Sequence, residues 1–384
     1  MSIDLEFLEG KRWFAQKGFS SRISITDRVE LGKYEILIIS AVSDSMSEKY
    51  AIPIHTGSGC ECDSDPQYLN TLIEKMNLSG TGGNGLTIIS GHRQIPQVES
   101  VEIHFSGTSN VLCKADGMIS KSYRRLRRNN FEADLIIWLR GQNFNSVPDC
   151  YGAVKYNSMC LHSFFKFEEG RDTGEIYYGD LLDFLEKKTI GINAWELGRS
   201  IRELHRNLVD FIDPPELSKW RWEMKEKMME RLKFLSVILG EPDFRYVDDA
   251  AKRFLGMIDH MEKIQMTHGD LHLSQILYYE DCYKFIDFEG EPDHDSPPFF
   301  PRERDVASLI RSFDYMIRDL PRNDREMGVR WSNQIAEKIM DGYGVQREQI
   351  YPWLLERAIY EICYEAKNRP ANVKIPLRGL KELL

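Results

Sequence analysis

One stretch constrains this chain more than any other: HGDLHLSQIL at 268–277, followed by YKFIDFEGE at 283–291. Apolar residues alternate with a few polar ones in both runs, and Glu280-Asp281 between them is a turn signal. The pattern predicts a strand, a tight turn and a second strand. On this frame stand an acid, an amide and a second acid: Asp270, Gln275 and Asp287. The step from Asp270 to Gln275 equals the step from the catalytic Asp to the metal-binding Asn in H-R-D-L-x-x-x-N. Phosphoryl transfer needs such a set, with one carboxylate to take the acceptor's proton and two oxygen ligands for magnesium on the nucleotide. Asp270 is therefore the expected general base, a role worth roughly 10²–10⁴ in rate. Gln275 and Asp287 are the expected metal ligands. His268 is expected to orient the turn by hydrogen bonding, and His272 has no assigned role.

Bulk properties narrow the class. A chain of 384 residues has room for two or three domains. Its net charge of −10 offers no general positive field for nucleic acid or an anionic membrane, so neither is an expected partner. The first ten residues are acidic and lack a secretory pattern, and no run reaches the length of a membrane span. Seven scattered cysteines, an odd number, read as reduced thiols in a cytoplasmic protein. Cys60-Glu61-Cys62 lacks a second pair to complete a metal site and is expected to be a surface loop.

Along the chain, residues 1–95 read as strands at 22–26, 34–41 and 50–54 with a helix at 67–77, then a glycine-rich segment at 79–85. That segment lacks the Lys-Ser/Thr of a P-loop and is taken as a turn or boundary. From 96 to 168, strands are predicted at 101–105, 111–115 and 118–123, a helix at 131–140 and an extended segment at 158–166. After 175 the chain turns helical, with helices at 179–187, 194–210, 215–239, 247–264, 304–318, 328–342 and 353–367. The hairpin at 275–288 is the exception.

The sheet-rich portion should supply the nucleotide's cationic partner. Lys121 follows the Gly107-Thr108-Ser109-Asn110 loop, and Glu132 begins the next helix, placed to pair with it as in kinases. Asp134 competes for the role of Glu132. Ser109 and Asn110, with nearby backbone N–H groups, are candidates to cover the phosphates. Phe165 and Phe167 mark the segment where an adenine would meet backbone. The basic run Arg124–Arg128 is read as a solvated turn.

These residues resemble the catalytic and metal-binding loops of maltokinases, within the aminoglycoside phosphotransferase-like superfamily. Further matching stretches are RWFAQKG at 12–18, Leu197-Gly198 to Leu204-His205, RDVA at 304–307 running to RSFDY at 311–315, and YEAKNRP at 364–370. The resemblance implies an α+β, bilobal protein-kinase-like fold with an N-terminal cap domain. Its parts would be the cap at 1–95, an ATP-binding intermediate portion at 96–168 and a helical C-terminal lobe at 169–384. It also implies transfer of the γ-phosphate of ATP, with Mg²⁺, to the anomeric hydroxyl of maltose. Asp270 and Asp287 would then face substrate, Glu361 and Arg369 would contact the sugar, and Tyr351 and Tyr364 would give stacking or hydroxyl contacts. Over the first hundred residues the match is confined to 12–18. Two other readings stand beside it: a glucosamine or other monosaccharide kinase, and a non-catalytic nucleotide-binding scaffold. The joint presence of Lys121, Asp270, Gln275 and Asp287 speaks against the scaffold.

Overall fold

The structure is a computed structural model and describes every residue except 1–4, 12, 15, 17–19, 44–46, 78–84, 92–93, 106–109 and 292–296. Contacts sort the chain into two units, Met1–Asn143 with Val147–Glu169, and Phe144–Ser146 with Gly170–Leu384.

The first unit begins with a short helix α1 (Leu5–Glu9) and three strands, β1 (Arg22–Leu31), β2 (Tyr34–Val42) and β3 (Ser47–His55). These strands form an antiparallel sheet in sequence order. Next come α2 (Pro66–Asn77), β4 (Leu86–Ser90), β5 (Glu102–Phe105), β6 (Val111–Ala115), β7 (Met118–Ser122), α3 (Glu132–Gly141), β8 (Cys150–Tyr156) and β9 (Met159–Lys166). Six of these strands make a second sheet in the order β4-β8-β9-β7-β6-β5.

Strand β2 explains how the two sheets are joined. Its side chains alternate between faces, as a pleated strand requires. Tyr34, Ile36 and Ile38 enter a core with Tyr68, Leu69 and Leu72 of α2 and with Met118 and Phe164 of the second sheet. Leu37, Ile39 and Ala41 point the other way and pack with Leu8, Trp13 and Phe14. A strand buried on both faces reads as a near-continuous apolar run, and YEILIISAV is one, interrupted by Glu35 and Ser40. The expected boundary at 95/96 lies inside this unit, and β4, just before it, is an edge strand of the six-stranded sheet.

Two expectations are corrected here. The run Arg124–Arg128 is not a solvated turn. Its backbone runs beside β3, with Ala51 N donating to Arg124 O at 2.9 Å and Leu126 N to Lys49 O at 2.8 Å. Arg124 is fully buried; its Nη1 donates to Asp63 Oδ1 and its Nη2 to Glu61 Oε2, both at 2.9 Å. Arg125 Nε donates to Glu48 Oε2 at 2.8 Å. The charges are balanced by acids some sixty to eighty positions away, which local spacing does not reveal. Likewise, Cys60 is exposed as expected for a loop, but Cys62 belongs to the core. The seven cysteines are all free thiols.

The second unit contains β10 (Arg171–Asp172), α4 (Thr173–Lys187), α5 (Ala194–Leu208), α6 (Leu217–Ile238), α7 (Glu241–Ile258), β11 (Gln265–Met266), β12 (Ile276–Tyr279), β13 (Cys282–Phe285), β14 (Phe299–Phe300), α8 (Glu303–Met316), α9 (Arg322–Tyr343), α10 (Arg347–Asn368) and α11 (Lys374–Leu383). Strands pair as β10-β12-β13 and β11-β14. Leu197, Ile201, Leu204 and Leu208 form the buried stripe of α5. Gly198 on that helix lets α9 approach so closely that a Cβ there would lie 2.0 Å from the Ile339 carbonyl oxygen.

Four helices, α4, α7, α9 and α10, begin six residues before the apolar periodicity predicts. Their first turns are largely polar, and side-chain caps stand ahead of α4 and α10. Asp172 accepts from Gly174 N at 2.6 Å ahead of α4, Pro242 opens α7, and Gln346 and Gln349 form a capping box on α10. Strands β4 and β8 and helix α11 were not anticipated; Pro376 in the first turn of α11 reads from sequence as a breaker, though a first turn tolerates it. Among the described residues no helix is long and apolar enough to cross a membrane.

Candidate active site

The HGD loop follows β11 and is pinned from below by α8. Thr267 N and Oγ1 both donate to Pro298 O, at 3.0 and 2.8 Å. Asp305, in the first turn of α8, accepts from His268 N at 2.7 Å and from Gly269 N at 3.1 Å. His205 Nε2 lies 3.0 Å from the same Asp305 carboxylate. Burial alone would push that carboxyl up, but the hydrogen bond and charge of His205, with the His268 N–H, hold it below its ordinary value. Gly269 has φ +87°, and a Cβ there would lie 2.5 Å from Pro298, so only glycine fits this turn.

His268 stitches the two halves of the site together. Its Nε2 donates to Ile286 O at 2.9 Å, so the residue two before Asp270 is bonded to the residue just before Asp287. Gln275 lies in a single 3₁₀ turn, Leu273–Gln275, and its carbonyl accepts from Ile286 N at 3.0 Å. Its side-chain Nε2 donates to Asp287 Oδ2 at 2.8 Å. Asp287 itself is left-handed, with φ 65°, a conformation that is uncommon outside glycine and tends to gather at functional sites. The hairpin, with Glu280 and Asp281 both left-handed at its turn, thus brings Gln275 and Asp287 into contact. The amide oxygen of Gln275 and the carboxylate of Asp287 are hard oxygen donors, the kind a divalent cation such as Mg²⁺ takes.

Asp270 is partly exposed, and Arg357 on α10 donates to its Oδ1 at 3.4 Å. Arg357 also pairs with Glu291, which is shared with Arg304. Arg304 Nε donates to Glu356 Oε2 at 2.8 Å and Arg304 Nη1 to Gly269 O at 3.3 Å. Burial disfavours the Glu291 carboxylate, yet Arg304 and Arg357 hold it ionised and below its usual range. Sequence reasoning gave no role to Arg304, Asp305, Glu291, Glu356 or Arg357. The available signal was two adjacent polar residues, Glu356 and Arg357, inside the apolar run 350–363 of α10.

In the first unit, Lys121 on β7 and Glu132 at the start of α3 are both buried and paired, Nζ to Oε2, at 2.7 Å. Tyr123 OH donates to the same Glu132 oxygen at 2.6 Å. Asp134 instead takes Lys155 at 2.6 Å. Residues two apart on a helix do not share a face, so the two acids serve different lysines. Asn110 is buried at the start of β6, while Ser109 and the rest of the Gly107–Ser109 loop lie outside the described residues, as does 79–84 of the glycine-rich segment. Phe165 is buried in β9; Phe167 N donates to Gly117 O at 2.8 Å, and Lys114 sits 4.3 Å over its ring.

On α10, Glu361 is buried and accepts from Arg311 Nη2 at 2.7 Å. Tyr364 stacks on Tyr360, and the Arg369 guanidinium lies 5.5 Å from the Tyr364 ring. Arg369 also bonds Glu365 at 2.6 Å. Glu361, Tyr364 and Arg369 therefore gather at the C-terminal end of the helix. Tyr351 does not join them: it stands ten residues earlier, about 15 Å along the axis, with Arg253 donating to its hydroxyl and the hydroxyl donating to Leu383 O, both at 3.2 Å.

No family model matches the chain. Among solved structures, a glucosamine kinase superposes with a TM-score of 0.74 at 16% identity, over 97% of this chain and 97% of that one. A glucosamine kinase in complex with glucosamine, ADP and inorganic phosphate gives 0.73 at 16% identity over 100% of each chain. An amicoumacin kinase in complex with AMP-PNP, Ca²⁺ and Ami gives 0.50 at 16% identity, over 84% of this chain and 94% of that one. At such identities the likeness speaks to architecture, and on that ground the chain has the α+β, protein-kinase-like fold of these phosphotransferases.

Proposed function

We propose that this protein is an ATP-dependent sugar kinase that phosphorylates maltose at its anomeric hydroxyl, giving maltose 1-phosphate. The observation that carries the kinase reading is the stitched loop pair, in which His268 ties the Asp270 turn to the strand end before Asp287, and Gln275 bonds Asp287. In this reading Asp270 is the general base. The acceptor's proton passes to its carboxylate, the acceptor oxygen bonds to the γ-phosphorus, and the bond from that phosphorus to the β–γ bridging oxygen breaks to release ADP. Gln275 and Asp287 would hold Mg²⁺, which when bound neutralises charge on the phosphates.

Lys121, steadied by Glu132, would meet the α- and β-phosphates, with Ser109 and Asn110 beside them and the Phe165–Phe167 segment against the base. Glu361, Tyr364 and Arg369, with Asp270 and Asp287, would face the acceptor, and Tyr351 would act at a more distant point of the sugar site. Residues 1–95 are proposed as the cap, 96–168 as the nucleotide-binding portion and 169–384 as the acceptor lobe. The nucleotide and cation assignments draw support from fold neighbours whose complexes contain ADP, or AMP-PNP with Ca²⁺. The choice of maltose rests on the YEAKNRP stretch and on Glu361.

A second reading, phosphorylation of glucosamine, is favoured by the likeness in fold to a glucosamine-bound kinase. Product analysis decides between them: the protein is incubated with ATP–Mg²⁺ and maltose, glucose or glucosamine, and the phosphorylated carbon is assigned by NMR. Maltose 1-phosphate is the expected product. Phosphorylated glucosamine with inert maltose transfers the assignment to the second reading, and no product from any acceptor removes both.

A further inference from the structure

A network of ion pairs beside the HGD loop joins Arg231, Arg304 and Arg357 to Asp270, Glu291 and Glu356. Stability does not explain it, because replacing buried ion pairs with well-packed apolar groups is often neutral or favourable. Its geometry explains more. Arg304 reaches the Gly269 carbonyl, next to Asp270 in the chain, and also holds Glu291. Glu291 in turn takes Arg357, whose guanidinium lies 4.6 Å from the Tyr360 ring; Arg231 approaches the same ring at 5.1 Å. Glu291 and the Tyr360 ring thus hold the Arg357 guanidinium beside Asp270.

Arg357 meets only one oxygen of Asp270. Its Nη2 donates to Oδ1 at 3.4 Å, and among the described residues no donor reaches Oδ2. A charge-assisted bond at full strength would be about 2.7–2.9 Å. The longer contact touches the carboxylate at one oxygen without forming a full-strength charge-assisted bond.

We infer that Arg357 is a positioning residue for phosphoryl transfer: aimed by Glu291, it holds Oδ1 of Asp270 so that Oδ2 faces the acceptor hydroxyl. This rests on the kinase reading above. It assigns Arg357 no contact with substrate and no proton, since a guanidinium keeps its charge throughout. It also joins two tasks on one helix, because Arg357 stands one turn before Glu361 on α10.

The test compares Arg357→Met, Arg357→Gln and Arg357→Lys in the full-length chain, with acceptor turnover, both KM values and ATP binding by calorimetry. Loss of aim should lower kcat on the order of 100-fold in the Met and Gln variants. Both KM values should stay within about twofold, as a defect confined to the chemical step requires. Lysine should restore about tenfold of that loss by returning a cation, and methylguanidine should partly rescue the Met variant. Wild-type kcat in a folded Met variant overturns the inference. So does a loss carried wholly by acceptor KM, which would make Arg357 a binding group. Should the Met variant fail to fold, the Gln and Lys variants decide by the same criteria, their kcat taken per folded molecule. A wild-type protein that phosphorylates no acceptor overturns the kinase reading, and this inference with it.

Discussion

At the residue scale, the chemistry concentrates on Asp270, whose side chain is one-fifth exposed while the backbone beneath it is bound by Asp305 and Arg304. Replacing it with asparagine keeps the shape and removes the base. Asp270→Asn should therefore lower kcat by roughly 10²–10⁴ while calorimetry shows ATP binding unchanged; near-normal turnover would refute the assignment. Asp270, Gln275 and Asp287 were readable as a group because all lie within eighteen residues on one hairpin, where spacing translates directly into proximity. Lys121 and Glu132 were readable for the same reason, eleven positions apart across one strand–helix connection. Arg357, Glu291 and Arg124 were not. Each has at least one partner more than sixty positions distant, and a buried ion pair between remote elements leaves no local periodicity to detect.

Elements show the converse. Helix interiors were legible because their apolar stripes repeat, as in α5, whereas the largely polar first turns of α4, α7, α9 and α10 were not, since they add little to an apolar stripe. Gly198 was read as part of a matching stretch, Leu197-Gly198, and helix propensity alone would count it as weakening, yet its missing side chain allows the close α5–α9 approach. A methyl group there would meet the Ile339 carbonyl oxygen and the Tyr343 nitrogen, both backbone atoms that cannot rotate away. Gly198→Ala should thus destabilise the chain by about 1–3 kcal/mol through overpacking, despite alanine's better helix propensity. Urea unfolding followed by circular dichroism measures this, and an unchanged or raised stability would contradict the crossing described.

For the molecule as a whole, one buried imidazole should shape acid sensitivity. His162 lies between the rings of Tyr68 and Phe164, with Nε2 2.7 Å from Ser120 Oγ. Burial pushes it down to about 4 from an ordinary value of 6.5. Between those pH values the unfolded chain binds a proton that the folded chain refuses, so stability falls as pH falls through this window and is retained above it. The loss amounts to about 3 kcal/mol by its lower end. Urea midpoints at pH 7.5 and 4.5 should therefore separate more for the wild type than for His162→Gln, whose neutral amide has nothing to titrate. Equal separations would exclude His162 as the source.

The ties of Arg124 bear on how this chain could be recombined with others. Glu61 and Asp63 lie before the proposed 95/96 boundary and Arg124 after it, yet both acids bind the same buried guanidinium. A chimera grafted at 95/96 would transplant the acids without their cation, and stranding a buried charge typically costs about 3–5 kcal/mol. The exchangeable cassette is thus the larger block that keeps both sides of this clasp.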